Sequence, residues 1–408
     1  MTLLAIIDAT DLRAPDGPAT QVAGLSLVER ALRLATVCDA DELLIVAPPD
    51  CDSDDLGVAG EDRPIPLSII SPGSPFSPAE EPTTLLILDA GAVHERSAIQ
   101  SAVRQFMADE KDQARRDATA SVALIGPGSS AELRAAIDDP ARARRAPRPL
   151  IDEGWIIEIN TSEDAAAAAR RLWNSCRKPQ DGLVSRYLNR HLSISISKVL
   201  APTWIKPNHI SAVTFTLGIV AAVAAGWGGY VGFLLAGLLY QANSVIDGVD
   251  GELARVRYEF SVLGEWLDTI SDDVSDFLMY IGLGIGAWRT LADAPGPFDS
   301  EAWLILGIIA AVAKLATMAV YYRWLIAHGR GDLLAFQWDF RDDDGKEKGP
   351  IVRLLSFCEY FFRKDFIVFA AMILAIAGYL PYLLIALAPG NAIVAVSVLI
   401  QQARNSSS

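Results

Sequence analysis

Cysteine is scarce and scattered in this chain of 408 residues. Its four cysteines, Cys38, Cys51, Cys176 and Cys358, form no Cys-x-x-Cys pair. Neither a zinc site nor a disulfide framework is indicated, and small buried apolar side chains in a reducing compartment are expected. Positive charge is also in deficit: 35 Lys and Arg face 50 Asp and Glu, a formal net charge of -15. No basic stripe with interleaved aromatics interrupts that deficit. A nucleic-acid partner is thereby excluded, because affinity for phosphate backbones comes mainly from clustered Lys and Arg. The opening residues also lack the basic segment of a secretory signal, and Asp8 arrives too early for its apolar core. The N-terminal half is therefore expected in the cytosol.

What the chain does have is apolar sequence, unevenly distributed. It is 51% hydrophobic with a mean hydropathy of +0.27, and the long apolar runs lie in the second half. That asymmetry predicts a soluble domain followed by a membrane domain. In the first half, short apolar runs at residues 3–8, 42–48, 67–71, 83–91, 121–126 and 155–160 read as strands. Amphipathic runs at 26–38, 131–139 and 162–176 read as helices. Strands that are apolar throughout and alternate with helices predict a mostly parallel, doubly wound α/β sheet over residues 1–178. The connections at 48–66 and 137–150, rich in Pro, Asp and Arg, read as surface loops.

Residues 179–207 form a transition. Leu183, Tyr187, Leu188, Leu192, Ile196 and Leu200 recur at helical spacing, with Arg186, Arg190 and Lys198 as a basic side. This predicts a helix lying in the headgroup layer. Residues 208–404 then predict an all-α domain of six spans, at about 209–228, 229–250, 262–288, 301–325, 365–380 and 382–402. Pro381 and the Pro389-Gly390 pair interrupt the last two. Basic residues cluster before the first span, at Arg255 and Arg257, and between the fourth and fifth spans, whereas the connection after the third carries Arg289 alone. The positive-inside rule then places both termini and the second-to-third turn in the cytosol, with the protein in the inner or plasma membrane.

That turn carries the chemistry. Asp247, Asp250, Gly251 and Ala254 fall at i, i+3, i+4 and i+7 at the end of the second span, and Gly264, Asp268 and Asp272 at i, i+4 and i+8 on the third. Joined by a short turn, the two helices are antiparallel neighbours, so four carboxylates converge. Each costs about 2.5 to 3.5 kcal/mol at a helix centre, less near the interface, and Arg255 alone does not balance four. Divalent cations do. Clustered carboxylates suit Mg²⁺ or Mn²⁺, and four could hold two ions, the arrangement that clamps attacking and leaving oxygens in phosphoryl transfer. Gly251 and Ala254 leave room beside that face, and Arg255 has the fork that fits a phosphate. Glu252 and Asp273 point off the shared face and read as solvated or structural. Asp276 continues the row and would support the site from below.

The pattern D-x2-D-G-x2-A-R-x8-G-x3-D-x3-D is matched at every fixed position by Asp247, Asp250, Gly251, Ala254, Arg255, Gly264, Asp268 and Asp272. It resembles the signature of the CDP-alcohol phosphotransferase (CDP-alcohol phosphatidyltransferase) family. The resemblance runs from about Asp181 to the C-terminus and includes Lys206 to Ser211 and Arg363-Lys364-Asp365. It implies an integral membrane transferase in phospholipid synthesis that attacks a CDP-alcohol donor with the hydroxyl of an alcohol or lipid acceptor and releases CMP. Asp247, Asp250 and Asp268 would hold two Mg²⁺ or Mn²⁺ ions. Asp272 would accept the proton of the incoming hydroxyl and also touch a metal. Gly251, Ala254 and Arg255, with Gly264 and Asn208, would line the CDP site. Arg190, Lys206, Arg323, Arg363 and Lys364 are acceptor-pocket candidates, with interfacial anchoring as the alternative. A homodimer is expected. The rival function is a divalent-cation transporter with a cytosolic regulatory domain.

The first half resembles a weakened nucleotidyltransferase of the sugar-phosphate cytidylyltransferase kind. The resemblance rests on the opening strand, residues 22–32, the strand ending at Asp89, and residues 155–172. Active members carry a glycine-rich phosphate loop after the first strand. Here Asp8 and Asp11 stand where the glycines belong, and Asp89 stands in the place of a metal-binding aspartate or is a plain strand-end turn residue. A catalytically silent domain is expected. Fused relatives that retain activity make CDP-inositol for the attached transferase, which keeps inositol-type chemistry open.

Overall fold

The computed structural model describes residues 2–17, 20–49, 51–58, 65–76, 84–108, 114–116, 121–125, 130–144, 154–178, 181–291, 299–328 and 363–405. They fall into two units: one of Met1–Cys176 with Lys198–Thr203 and Leu253–Phe260, the other of Arg177–Ser197, Trp204–Glu252 and Ser261–Ser408.

The first unit is an α/β sheet domain. Its central strand β1 (Leu3–Asp8) is buried at every position and pairs in parallel with β4 (Glu42–Val46) on one side and β6 (Thr84–Asp89) on the other. β5 (Leu67–Ile70) adds to β4 in parallel. β9 (Val122–Ile125) and β8 (Ala114–Arg116) extend the far edge antiparallel, giving the order β5-β4-β1-β6-β9-β8. All six apolar runs are strands, but Ile156–Glu158 (β10) pairs with β7 (Ala92–His94) in a separate ladder, and β2 (Gln21–Val22) with β3 (Leu25–Ser26) in another.

The expected helices appear as α1 (Leu27–Val37), α3 (Ser130–Asp138) and α5 (Ser162–Ser175), together with α2 (Arg96–Ala108) and the short α4 (Pro140–Ala143). Ser26 caps α1 by accepting from the Glu29 N–H, and a Thr161/Asp164 capping box starts α5. Cys38 and Cys176 are buried as expected, Cys51 is half-buried, and Cys358 lies outside the described residues. Burial in apolar surroundings pushes the Cys38 thiol up to about 12.

Residues 253–260 belong to this unit. The fully buried Arg30 donates to the carbonyls of Val22 and Val256. The Tyr258 hydroxyl donates to His94 O at 2.6 Å, and Arg257 donates to the carbonyls of Leu200 and Ala201. Guanidinium forks and a phenol thus spend their donors on backbone carbonyls.

The second unit is helical. A π-turn (Ser185–Asn189) leads into α6 (Arg190–Leu200), followed by α7 (Pro207–Trp227), α8 (Gly229–Arg257), α9 (Val262–Thr290), α10 (Ser300–His328), α11 (Lys364–Ile376) and, after a 3₁₀ turn at Leu380–Leu383, α12 (Leu384–Asn405). Helices stand at all six predicted spans. Among the described residues four segments are long and apolar enough to cross a membrane: Pro207–Trp227, Gly229–Arg257, Ser300–Ile326 and Leu380–Ile400. α9 falls short because it carries the acidic row. α11 falls short in length, its 13 residues spanning about 20 Å against about 30 Å of hydrocarbon. The basic connection at 329–362 lies outside the described residues.

Small residues let these helices approach closely. A Cβ on Gly282 or Gly286 of α9 would sit 2.3 Å from Ala222 O or 1.9 Å from Ala225 O of α7, and one on Gly307 of α10 would sit 2.8 Å from the Gly284 Cα. These contacts set the depth at which the aspartates of α8 and α9 meet α7.

Candidate active site and metal centre

The site is built from the C-terminal end of α8 and the N-terminal part of α9, as expected from their sequence. Asp247 and Asp250 on α8 and Asp268 on α9 each bring a carboxylate oxygen within 4.8 Å of the others. Asp250 is buried, and its Oδ2 accepts from Ser211 Oγ of α7 at 2.7 Å. Three converging anionic oxygens in a half-buried setting repel one another, and they form the hard-oxygen donor set that divalent Mg²⁺ or Mn²⁺ prefers. The residues present therefore fit such an ion.

Asp272, one turn further along α9, is not part of that trio. Its Oδ2 meets Lys364 Nζ of α11 at 2.8 Å. Lys364 also reaches Asp276 at 3.5 Å, and Asp276 accepts from the Tyr240 hydroxyl and from Lys314 of α10 at 3.1 Å. Lys314 further pairs with Asp273 at 2.8 Å. Of the two readings open for Asp273 the structural one holds: it is buried in an ion pair. Asp276 does support the row from below, through two lysines that its sequence position did not reveal.

A cavity of about 360 Å³ opens beside these groups, with Asp247, Asp272, Arg363 and Lys364 in its wall. Arg190 lines it too, although not as part of an exposed basic face. Its guanidinium grips Asp181 through Nε and Nη2, both at 3.0 Å, and Glu252 through Nη1 at 3.0 Å. Burial opposes charge on Asp181, and the Arg190 fork outweighs it, holding that carboxyl below its ordinary range. Glu252 is fully buried and accepts from Ser193 and Ser197, each at 2.6 Å. It is structural rather than solvated, because helical register turns it toward α6.

The other candidates separate. Lys206 is at the start of α7, where its N–H donates to His209 Nδ1, and Arg323 is exposed on α10; neither lines the cavity. Asn208 lies against α9, where a Cβ on Gly264 would come 3.0 Å from its Oδ1. Gly251 is half-buried in the second unit, and Ala254 and Arg255 are half-buried in the segment that clusters with the first. Sequence reasoning missed Asp181, Asn189, Ser193, Tyr240, Asn243 and Ser244 in the cavity wall. The i+4 spacing of Asn189, Ser193 and Ser197, a stripe of small polar side chains along one face, was the signal available.

In the first unit, Asp8 and Asp89 are register partners at the adjoining ends of β1 and β6, the crevice position where doubly wound sheets bind ligands. Arg144 fills it, reaching Asp89 Oδ2 at 3.2 Å and Asp8 Oδ2 at 2.5 Å. Asp89 Oδ1 also accepts the Gly91 N–H at 2.7 Å, the strand-end turn. Asp11 is exposed and pairs with Arg13.

Residues 204–388 match the family model of the CDP-alcohol phosphatidyltransferases. The chain is 41% identical over 124 residues to a bifunctional IPC transferase and DIPP synthase of Thermococcus kodakarensis, covering 30% of this chain and 27% of that protein. It is 28% identical over 168 residues to an archaetidylinositol phosphate synthase of Methanothermobacter thermautotrophicus, covering 41% of this chain and 75% of that one. The chain thus spans about a quarter of the length of the bifunctional relative. Among solved structures, a 4-diphosphocytidyl-2C-methyl-D-erythritol synthase of Anaerococcus prevotii aligns over 42% of this chain and 98% of its own, at 15% identity and a TM-score of 0.29, a likeness too slight to carry an argument. With the full eight-residue signature in place and three of its carboxylates gathered at one point, residues 204–388 carry a domain that matches the CDP-alcohol phosphatidyltransferase family model.

Proposed function

We propose that the protein is a metal-dependent phosphotransferase of inositol-type phospholipid synthesis. It joins the hydroxyl of a phosphorylated polyol to the phosphoryl group of a CDP-linked alcohol and releases CMP. The observation that carries this reading is the meeting of Asp247, Asp250 and Asp268 beside a polar cavity that Asp247 and Asp272 also line. The relatives' names supply the inositol class.

Asp247, Asp250 and Asp268 would hold the cations, with Ser211 fixing the Asp250 carboxylate. Bound divalent ions would neutralise the donor's diphosphate and the charge left on departing CMP. Gly251 and Ala254 leave space for the donor along α8, Arg255 forks onto its phosphate, and Asn208 and Gly264 border it. Asp272 takes the proton of the attacking hydroxyl, a general-base role worth roughly 10² to 10⁴-fold. Lys364, at 2.8 Å, keeps that carboxylate oriented. Arg363 and Lys364 at the cavity wall receive the acceptor's phosphate. In the first unit Arg144 is paired with Asp89, at the expected metal position, and with Asp8, where a phosphate-loop glycine belongs, which supports a catalytically silent domain. Both termini and the site face the cytosol, and the protein works as a homodimer.

The test uses the full chain in liposomes with Mg²⁺ or Mn²⁺. CDP-inositol and CDP-diacylglycerol are each offered with inositol 1-phosphate, and CMP is measured. Release is expected with one donor, and it disappears on chelation and in Asp268→Asn. Metal flux into the liposomes without CMP from any pair would sink the proposal in favour of the transporter.

A further inference from the structure

Asn243 stands one turn before Asp247 on α8, so both face the same side, and both line the 360 Å³ cavity. The residue is 4% exposed, and its Oδ1 is buried with no hydrogen-bond partner. Of the neighbouring amides, Asn189 accepts from Gln241 Nε2 at 2.9 Å and donates to Ser244 Oγ at 3.2 Å, while Gln241, whose Oε1 is also buried without a partner, does not line the cavity. Tyr240, also in the wall, spends its proton on Asp276. An amide oxygen left without a donor in a membrane-embedded helix is costly, and each such group in a native structure needs an explanation, a bound partner among them. An amide offers one acceptor and two donors in a plane, the complement of adjacent hydroxyls on a polyol.

We propose that Asn243 is a specificity-determining residue that reads one or two hydroxyls of the acceptor. It would thereby select a hydroxyl-rich phosphorylated polyol over a simple alcohol. This rests on the reaction proposed above. Asn189, Gln241 and Ser244 hold the wall around it, and Asp247 fixes its distance from the reacting centre by a single helical turn. A site that hydrogen-bonds a substrate hydroxyl discriminates strongly against an analogue lacking it, because the protein group is then left unpaired.

The experiment measures CMP release by the full-length wild type, Asn243→Ala and Asn243→Ser. Inositol 1-phosphate, its monodeoxy analogues and glycerol 3-phosphate serve as acceptors. The expected result is a roughly 10 to 100-fold rise in the acceptor KM of Asn243→Ala with the donor KM unchanged. Asn243→Ser should recover part of the loss. One monodeoxy analogue should be penalised by the wild type and not by Asn243→Ala. If the alanine variant does not fold, the serine variant and the wild-type analogue series give the same reading. An Asn243→Ala protein that keeps the wild-type preference among acceptors, or loses donor and acceptor affinity equally, would overturn the assignment while leaving the proposed reaction intact. Absence of turnover by the wild type with every pair would overturn both.

Discussion

Lys314 shows how far single residues in this protein depend on partners that lie far away in the chain. It sits within a long apolar helix, where an unpaired ammonium is among the most expensive groups to bury. Two carboxylates of α9, at 2.8 and 3.1 Å, offset that cost. Removing one member of such a cluster leaves an uncompensated buried charge, so Lys314→Met is expected to destabilise the helical unit by roughly 3 to 5 kcal/mol. The paired variant Lys314→Met/Asp273→Asn should lose markedly less, and thermal unfolding in detergent checks both. The motif aspartates were legible because eight residue types at fixed spacing identify them without any partner. Lys314, Glu252 and Asn243 were not, because each is defined by what faces it from another helix. An isolated intramembrane charge on a helical wheel does not announce its counter-ion.

At the scale of the element, α6 and its preceding turn reverse the usual amphipathic order. The side chains turned inward are Asn189, Ser193, Ser197 and Ile194, and those exposed include Tyr187, Leu192, Ile196 and Val199 together with Arg186, His191 and Lys198. Ser193 and Ser197 satisfy Glu252 on the inside, while the outer face mixes large apolar and basic side chains, as a segment resting in lipid headgroups requires. The helix was readable from periodicity. Which face points inward was not, since an apolar stripe normally marks the core, and Arg190 was accordingly assigned to an exposed basic side that it does not occupy. The tight packing of α7 on α9 is a second property of elements. Gly286 has no room for a side chain, so Gly286→Leu is expected to force the two helices apart and remove activity along with stability. A conservative Ala225→Gly on the facing helix should be far milder, and CMP release together with the unfolding midpoint distinguishes them.

For the molecule as a whole, the two units obey different solvents. In the α/β unit His94 is 1% exposed, with Nε2 buried and unpartnered. Burial, reinforced by the nearby Arg144 charge and only partly countered by a backbone hydrogen bond, lowers its pKa to about 4. The unfolded value is about 6.5, so the native state resists protonation. Its stability is complete above pH 6.5 and falls as pH drops toward 4, by up to about 3 kcal/mol. Urea unfolding of this unit, followed by protease susceptibility at pH 7.5, 6 and 5, should show that decline, and His94→Gln should flatten it. The helical unit has to meet the membrane instead. Six apolar stretches were legible there, yet only four of the described segments qualify by length and composition, because the row of acids on α9 lowers its hydropathy and α11 is only 13 residues long.

The amino-acid sequence by itself determined the division into an α/β half and a helical half, five of the six strands of the central sheet, the helices at each predicted span and the aspartate motif. Periodicity, apolar length and fixed spacing are all local quantities. Tertiary structure alone decided that Asp272 lies against Lys364, that Arg144 occupies the crevice at the ends of β1 and β6, that Glu252 is buried, and that an amide oxygen one turn from Asp247 is left without a partner. Each of these depends on which group faces which across a gap of a few ångströms, and electrostatic and hydrogen-bond energies at that range vary with distances that no spacing along a single chain encodes.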